Sequence, residues 1–287
     1  MGLFSKKDLL EKRAKKASEK KKYLSSRAEY LLNDKTPFNV TEAFRNLKAS
    51  ISVSVPKKDA GLVIMATSAF PEDGKTTVTV NLALMFAISN AKVLLMDADI
   101  RKGRVAKYFN EKPAPGLCDF LSGQKTLNEI VHVSPVNENL SFITCGTRSP
   151  KPYELLESEE MHSLLQELRS QYDYIIIDTP PVLLLSDALA LSDAVDGAVL
   201  VCRHQVSYIS DIERSLETLR FSKVNILGVI INDYKVTKSD SYGSYQNYEH
   251  KKYYYKSYAY SMIEPLDKED EPIEQRRKQQ AEAEKSK

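Results

Sequence analysis

One stretch of this 287-residue sequence constrains the fold more than any other. The apolar run at 62–66 leads into a loop containing Gly74, Lys75, Thr76 and Thr77, and a segment of helical period follows the loop. Where a buried strand turns into a helix, free backbone N–H groups and the positive helix terminus can bind an anion without burying an unpaired charge. The stretch therefore predicts a phosphate-binding loop between a strand and a helix.

The side chains of this loop suit nucleotide binding. Lys75 is expected to hold the β- and γ-phosphates, and the Thr76 hydroxyl is expected to ligate Mg²⁺. The strict loop pattern has glycine at position 69, where this chain has Ala69, so the match is partial. A chance surface loop is the alternative interpretation of the motif taken alone.

Apolar runs recur along the chain and alternate with segments of helical period, which is typical of strand-helix-strand units in a parallel sheet. Because the runs are uniformly apolar, helices are expected on both faces of the sheet. The runs lie at 62–66, 92–96, 140–143, 174–177, 198–202 and 225–231. Helices are expected at 75–89, 153–170, 186–193 and 207–221, with a further amphipathic helix at 41–50 capped by Thr41. The expected fold class is α/β, a parallel sheet of the P-loop NTPase type.

Carboxylates follow two of these runs directly. Asp97, Asp99 and Arg101 come after the second run, and Asp178 comes after the fourth. Ligands of open α/β sheets bind at the carboxyl ends of the strands, so these side chains are expected to share one site. Asp178 and Thr76 form a carboxylate and hydroxyl pair suited to Mg²⁺. The alternative is that the aspartates are helix N-caps or turn residues.

Shifts in composition predict four regions. These are a basic N-terminal helical segment at 1–35, the α/β domain at 36–235, a tyrosine-rich tail at 236–262 and a charged, disordered tail at 263–287. Between residues 6 and 22 the chain carries nine basic and three acidic side chains, which favours either contact with anionic lipid or a solvated basic tail.

The composition also argues against several classes of protein. No apolar stretch approaches the roughly 20 residues of a membrane span, and no export leader is recognised. Cys118, Cys145 and Cys202 have no metal-ligand or redox spacing. The expected location is the cytoplasm.

The tyrosine-rich tail contains half of the sixteen tyrosines of the chain. They are Tyr242, Tyr245, Tyr248, Tyr253, Tyr254, Tyr255, Tyr258 and Tyr260. Such a segment can be a target of modification, a sticky disordered tract or a surface on which nucleic-acid bases stack.

These motifs together resemble the P-loop bacterial tyrosine kinases, a family usually involved in capsule or exopolysaccharide production. The resemblance covers about 41–260 and rests on LLMDADIR, IIIDTPP, PGLCDFLSG (115–123), PKPYELLES (150–158) and LGVIIND (227–233). It implies an ATP- and Mg²⁺-dependent kinase that phosphorylates the eight tyrosines of its own tail.

The resemblance also implies roles for particular residues. Asp97 assists removal of the tyrosine proton, Thr76, Asp99 and Asp178 arrange Mg²⁺, and Lys75 and Arg101 complete the catalytic set. The residues expected to bind the nucleotide are Asp73, Gly74, Lys75, Thr76, Thr77, Arg203 and Asn232.

Partners follow from the resemblance as well. A helix bearing Glu42, Arg45 and Lys48 is expected to pack subunits into a ring, although Lys48 replaces an arginine of the family pattern. A separate transmembrane activator and a cognate tyrosine phosphatase are implied, and nucleic acid is not. The chain is then expected at the inner face of the plasma membrane, through its membrane partner.

Departures from the family pattern leave two alternatives open. Ala69 and Glu72, where the family commonly has glycine, favour a weakly active nucleotide-binding scaffold of the polysaccharide machinery. A partitioning-type ATPase of the same fold is the other alternative. Phe70 argues against it because that group has a second lysine there, and Arg101 argues against it because the group usually has glutamine there.

Overall fold

The computed structural model describes residues 27–56 and 60–234. Within these residues the chain forms a seven-stranded sheet in the order β3-β4-β2-β5-β1-β6-β7, in which β3 alone is antiparallel to its neighbour. The strands are β1 (Leu62–Ser68), β2 (Val93–Asp97), β3 (Val131–Val133), β4 (Leu140–Ile143), β5 (Tyr174–Asp178), β6 (Gly197–Arg203) and β7 (Ile226–Asn232).

Helices connect the strands. The α-helices are α1 (Phe38–Ser54), α2 (Lys75–Ile88), α3 (Leu117–Leu121), α4 (Leu127–Ile130), α5 (Pro152–Leu156), α6 (Glu159–Arg169) and α7 (Ile209–Phe221). Two 3₁₀ helices lie at Val105–Lys107 and Ser186–Leu191. In the part of the chain that the structure describes, each helix is too short or too polar to cross a bilayer.

The sheet has an apolar core on each face, as the uniformly apolar runs predict. On one face α2 packs against side chains such as Ile64 and Leu95, with Ile51 of α1 beside it. On the other face α6 packs against side chains such as Val63 and Ile175. Every residue of β1 and β2 is buried because helices cover both sides. The predicted fold class is confirmed.

The edges of the sheet differ from expectation. The last run, at 225–231, forms β7 as predicted, but Val229 and Ile231 are exposed because β7 is an edge strand. Strand β3 has no counterpart among the predicted runs, since it contains three residues and only two of them are apolar.

Three helix predictions need correction. The segment 153–170 forms two helices, because Ser158 accepts a hydrogen bond from the Met161 N–H and begins α6 as its N-cap. The segment 186–193 is a 3₁₀ helix rather than an α-helix. Helix α1 begins at Phe38, after Pro37, so Thr41 lies inside the helix and does not cap it.

The register of the strands brings the polar strand ends together. Asp97 at the end of β2 pairs with Asp178 at the end of β5, and Asp178 pairs with Ala66 of β1 on its other side. Helix α2 begins at Lys75, just beyond the end of β1. The carboxyl edge of the sheet therefore gathers residues that lie more than a hundred positions apart in sequence. The segments at 1–26 and 235–287 lie outside the described residues, so the basic segment and both tail predictions stay predictions.

Candidate active site

The loop between β1 and α2 is shaped by Gly74, which has φ 86°. A Cβ on Gly74 would lie 1.9 Å from Asn232 Nδ2, so no other residue fits this position without displacing Asn232. The Asn232 Nδ2 donates a hydrogen bond of 3.0 Å to the Asp73 carbonyl oxygen. The end of β7 thus fixes the loop that begins α2.

Asp178 is the centre of a buried polar network at the start of α2. Lys75 Nζ lies 2.7 Å from Asp178 Oδ1, and the Thr76 hydroxyl donates to Asp178 Oδ2 at 2.7 Å. The Thr79 hydroxyl, one turn along α2, is 3.4 Å from Oδ1. Because Lys75 and Asp178 are both buried, each charge depends on the other for compensation.

Asp97 lies beside this network and is fully buried. Its Oδ2 accepts from the Val105 N–H at 2.9 Å, and its Oδ1 accepts from the Asp99 N–H at 3.3 Å. Burial raises the pKa of the Asp97 carboxyl well above its usual range, and the neighbouring Asp178 carboxylate raises it further. Burial also raises the pKa of Asp99.

An open cleft of about 960 Å³ lies over this network. Most of the predicted nucleotide ligands line it, namely Gly74, Lys75, Thr76, Thr77, Arg203 and Asn232, together with Asp99 and Arg101. Asp97 and Asp178 lie beneath its floor. Asp73 is also buried: its Oδ2 accepts from the Phe70 N–H and its Oδ1 from the Ser207 hydroxyl, so its side chain braces the loop from inside.

The donor set suits a magnesium ion bound together with a nucleotide. Asp97, Asp99 and Asp178 lie near one buried ammonium group, that of Lys75, and Asp178 pairs with it directly. Burial is the main cause of the raised pKa values of Asp97 and Asp99, and the Asp178 carboxylate adds to it. No group of three acidic, histidine or cysteine side chains within the described residues could hold a metal by itself. Magnesium usually keeps water and phosphate ligands beside one or two protein groups, so the residues fit. Thr76, Asp99 and Asp178 are the groups that would hold it.

The two arginines predicted at the site are engaged by aspartates. Arg101 donates from Nε to Asp187 Oδ2 at 2.6 Å and from Nη2 to Oδ1 at 3.0 Å. Arg203 donates from Nη2 to Asp233 Oδ2 at 2.9 Å. Both arginines line the cleft. Asp187 is buried, and it was missed at the sequence level because nothing in the spacing of residues 101 and 187 relates them.

A second group missed at the sequence level contacts Thr77. The Tyr108 hydroxyl lies 2.6 Å from Thr77 Oγ1, and Arg27 Nη1 donates to the same hydroxyl at 3.2 Å. Tyr108 is buried beside α2 and so links the loop after β2 to the start of that helix. The signal available in the sequence was a tyrosine among charged residues, in the segment RKGRVAKYF.

The residues predicted for subunit packing lie away from the cleft, on α1. Arg45 forms an ion pair with Glu42 on the same helix, and the Arg45 side chain is 54% exposed. Lys48 follows three residues later on α1. Their role in a ring stays a prediction.

The fold and the loop together define a class of protein. A glycine loop between a central parallel strand and a helix, with carboxylates at neighbouring strand ends, is the architecture of P-loop nucleotide-binding domains. A family model described as an AAA domain matches residues 73–225.

Known proteins narrow this class to one family. The chain is 35% identical over 226 residues to the putative tyrosine-protein kinase EpsB of Ralstonia solanacearum, across 77% of this chain and 30% of EpsB. It is 36% identical over 205 residues to the tyrosine-protein kinase YwqD of Bacillus subtilis, across 71% of this chain and 86% of YwqD. The kinase domain of the Escherichia coli tyrosine kinase ETK matches with a TM-score of 0.63 and 32% identity, across 69% of this chain and 78% of that domain.

The chain belongs to the bacterial tyrosine-protein kinase family, as the sequence motifs indicate. The part of EpsB that it matches is 30% of that relative's length, whereas it matches most of YwqD.

Replacing Lys75 and Asp178 singly and together should have non-additive effects on the free energy of unfolding, because the two buried charges compensate each other. Lys75→Met should lower the free energy of unfolding by about 3–5 kcal/mol, because it leaves Asp178 buried without its counter-charge. Adding Asp178→Asn should recover a large part of that loss. Urea unfolding of the two single variants and the double variant measures the coupling. The exposed pair Lys125 and Glu129 is the control, with a much smaller expected coupling because solvent screens its charges. Additive losses at the buried pair would contradict the network.

Replacing Asp97 by asparagine should increase the stability of the protein, and the increase should depend on pH. Its pKa is raised in the folded state, so the folded protein holds a proton that the unfolded chain releases, and folding is penalised as pH rises above the ordinary carboxyl pKa of about 3.9. Asp97→Asn keeps an oxygen for the Val105 N–H and removes that penalty. Its melting temperature should exceed the wild type by about 2–4 °C for each 1 kcal/mol relieved, at neutral pH and without nucleotide.

The stability gained by Asp97→Asn should shrink as the pH is lowered toward 4, since the folded Asp97 carboxyl is then protonated and as neutral as the asparagine side chain. Thermal unfolding between pH 4 and pH 8 measures it, with Asp34→Asn at an exposed position as the control. An Asp97→Asn variant less stable than the wild type at pH 8 would contradict the charge argument.

Two replacements of Glu72 should separate the effect of its negative charge from the effect of its backbone conformation. It has φ 73°, a left-handed conformation that strains an L side chain by about 1 kcal/mol, and it lines the cleft. Glu72→Gln should tighten ATP binding without changing the melting temperature, because only the negative charge is lost. Glu72→Gly should tighten binding and also raise the melting temperature. Calorimetric titration and thermal unfolding check both; equal ATP affinity in all three proteins would refute the charge effect.

Proposed function

We propose that the chain is an ATP-dependent protein-tyrosine kinase that phosphorylates the tyrosines of its own C-terminal segment. The observation that carries the proposal is the convergence of Lys75, Thr76, Asp97 and Asp178 at one end of the sheet, beneath a cleft lined by the glycine loop. Phosphoryl transfer depends on positioning and charge neutralisation more than on covalent chemistry, and this cluster supplies both.

Lys75 has two alternative partners in this scheme. In the structure its ammonium group is 2.7 Å from Asp178. Phosphate groups at the N-terminus of α2 compete for that ammonium group, and Asp178 and Thr76 then become available as metal ligands. Mg²⁺ held by these groups would neutralise phosphate charge during transfer. Asn232 and Arg203, at the ends of β7 and β6, are assigned to the base end of the nucleotide.

Asp97 is the proposed acceptor of the tyrosine proton. The tyrosine oxygen forms a bond to the γ-phosphorus, the bond from that phosphorus to the β–γ bridging oxygen breaks, and ADP leaves. The hydroxyl proton passes to the ionised form of Asp97, and the raised pKa makes that carboxylate a stronger base than an ordinary one. Because Asp97 is fully buried, the segment 98–105 must move outward, or a water molecule must relay the proton.

The acceptors are the eight tyrosines between Tyr242 and Tyr260. Each phosphate adds about −1.5 to −2 charges, so successive phosphorylation makes copies of the chain repel one another. We propose that copies assemble as a ring through Glu42, Arg45 and Lys48, in which each tail reaches a neighbouring site, and that this repulsion loosens it. The exposed face of α1 supports such packing.

The biological setting is proposed from the family. The kinase regulates capsular or exopolysaccharide synthesis, a separate transmembrane protein activates it at the inner face of the plasma membrane, and a cognate phosphatase reverses the modification. Nucleic acid is not a partner. Membership of the tyrosine kinase family argues against the partitioning-type ATPase.

A weakly active scaffold is the second candidate function. The strained, negatively charged Glu72 and the burial of Asp97 favour it, because both slow transfer in this conformation. Such a protein would bind Mg-ATP and assemble polysaccharide enzymes with little phosphorylation.

A kinase assay distinguishes the two functions. Purified full chain, incubated with labelled Mg-ATP with and without a membrane fraction, should incorporate phosphate between Tyr242 and Tyr260, as mapped by mass spectrometry. Asp97→Asn should lower the initial rate by about 10²–10⁴-fold while the protein stays folded. Lys125→Met, at an exposed position, should match the wild type. Mg-ATP binding without tyrosine phosphate under either condition would support the scaffold.

A further inference from the structure

Two cations of the cleft lie close in sequence to the catalytic carboxylates Asp97 and Asp99. Lys102 and Arg104 lie on the loop after β2, and both line the cleft. Among the described residues, neither forms an ion pair or a side-chain hydrogen bond, whereas Lys75, Arg101 and Arg203 each pair with an aspartate. The cleft therefore keeps uncompensated positive charge next to its phosphate end.

Arg27 adds a third cation to this part of the cleft. Its Nη1 donates to the hydroxyl of Tyr108, which follows the same loop, and its guanidinium lies 5.9 Å from the centre of that ring. Glu29, two residues further along, also lines the cleft and is the nearest acidic residue in sequence. We call Arg27, Lys102 and Arg104 the cationic rim.

Two backbone hydrogen bonds tie the loop of Lys102 and Arg104 to the catalytic carboxylates in this structure. The Lys102 N–H donates to Asp99 Oδ1 at 2.9 Å, and the Val105 N–H, adjacent to Arg104, donates to Asp97 Oδ2 at 2.9 Å. An anionic ligand on the rim is consequently anchored close to the groups that act on a tyrosine.

The sequence contains an anionic segment shortly after the tyrosines. Residues 264–274, the acidic stretch, carry six carboxylates against one lysine. The tyrosine-bearing segment before it, 242–260, carries three lysines against one glutamate and has no attraction for a basic surface. The acidic stretch begins four residues after Tyr260, which is about 13–14 Å of extended chain.

We propose that the cationic rim is an acceptor-docking subsite for acidic peptide, and that its occupant is the acidic stretch of a second copy of this chain. This docking brings the preceding tyrosines over the catalytic carboxylates. The preferred substrates are then tyrosines followed within a few residues by a run of carboxylates. The proposal rests on the kinase function proposed above and names its acceptor class.

The contact should be weak and sensitive to salt, because its charges are exposed to solvent and screened within about 8 Å at physiological ionic strength. It should act on acceptor affinity and leave the chemical step unchanged, since the rim does not touch the reacting atoms. When acceptor binding is weakened equally in the ground state and the transition state, KM rises while kcat is unchanged, and kcat/KM falls.

A binding experiment tests the rim without catalysis. The probe is a labelled peptide of residues 240–276 with every tyrosine replaced by phenylalanine, and its matched control has the six carboxylates of the acidic stretch replaced by amides. The receptor is the full chain with the same six replacements in its own acidic stretch, so that its rim is free. Fluorescence anisotropy should show the acidic peptide binding about five- to tenfold more tightly, and 0.5 M salt should remove the difference.

Charge-reversal variants test whether the tighter binding of the acidic peptide depends on the cationic rim. Lys102→Glu with Arg104→Glu should abolish the preference, whereas Lys125→Glu with Lys223→Glu, away from the cleft, should preserve it. Equal binding of both peptides, or a preference that survives reversal at 102 and 104, would overturn the proposal. So would displacement of the peptide by a single-stranded oligonucleotide at lower concentration than by unlabelled acidic peptide, since the rim would then be a nucleic-acid site.

Kinase assays with the tyrosine-containing forms separate this proposal from the kinase function. The wild type should phosphorylate both peptides with equal kcat and with a lower KM for the acidic one. Equal KM values would remove the docking role and leave the kinase function standing. Absence of phosphate transfer to either peptide would remove the kinase function, while the binding data still decide what the rim recognises.

Discussion

The contact between Lys75 and Asp178 is the interaction on which the site depends. It joins the first residue of α2 to the last residue of β5 through a 2.7 Å bond between two buried charges. Neither charge is tolerable alone in that position, so the pair fixes how the helix meets the sheet. Thr76 and Thr79 add hydrogen bonds to the same carboxylate and hold the first turn of α2 against the strand end. Contacts within the protein thus fix the loop that begins α2, and in the proposed function phosphate would compete with Asp178 for Lys75.

Much of this arrangement could be predicted because it depends on local pattern. Uniformly apolar runs predict buried parallel strands, and parallel strands bring their carboxyl ends to one edge, so Asp97 and Asp178 had to become neighbours once β2 and β5 paired. The errors arise where local pattern is weak. Strand β3 is too short to show a period, and the burial of β7 depends on its place at the edge. The partners Asp187 and Tyr108 depend on tertiary contacts across loops, which spacing along the chain does not encode.

An imbalance of charge organises the remaining residues of the cleft. Asp97, Asp99 and Asp178 lie near one lysine, Lys75, and burial together with the neighbouring carboxylates raises the pKa values of Asp97 and Asp99. In the proposed function, a magnesium ion bound with a nucleotide would offset this negative charge and so link stability to ligand binding. Arg101 and Arg203 pair with their own aspartates, whereas Lys102 and Arg104 are proposed to attract an acidic acceptor. Nucleotide and acceptor are thereby assigned to adjacent parts of one cleft.

The most direct measurement of this account is a crystal structure of the full chain with Mg²⁺ and a non-hydrolysable ATP analogue. The account predicts that the Lys75 ammonium group leaves Asp178 and contacts the phosphates, and that Thr76, Asp97, Asp99 and Asp178 surround the same metal-nucleotide complex. A structure in which Lys75 remains on Asp178 while the analogue binds on another face of the molecule would contradict it.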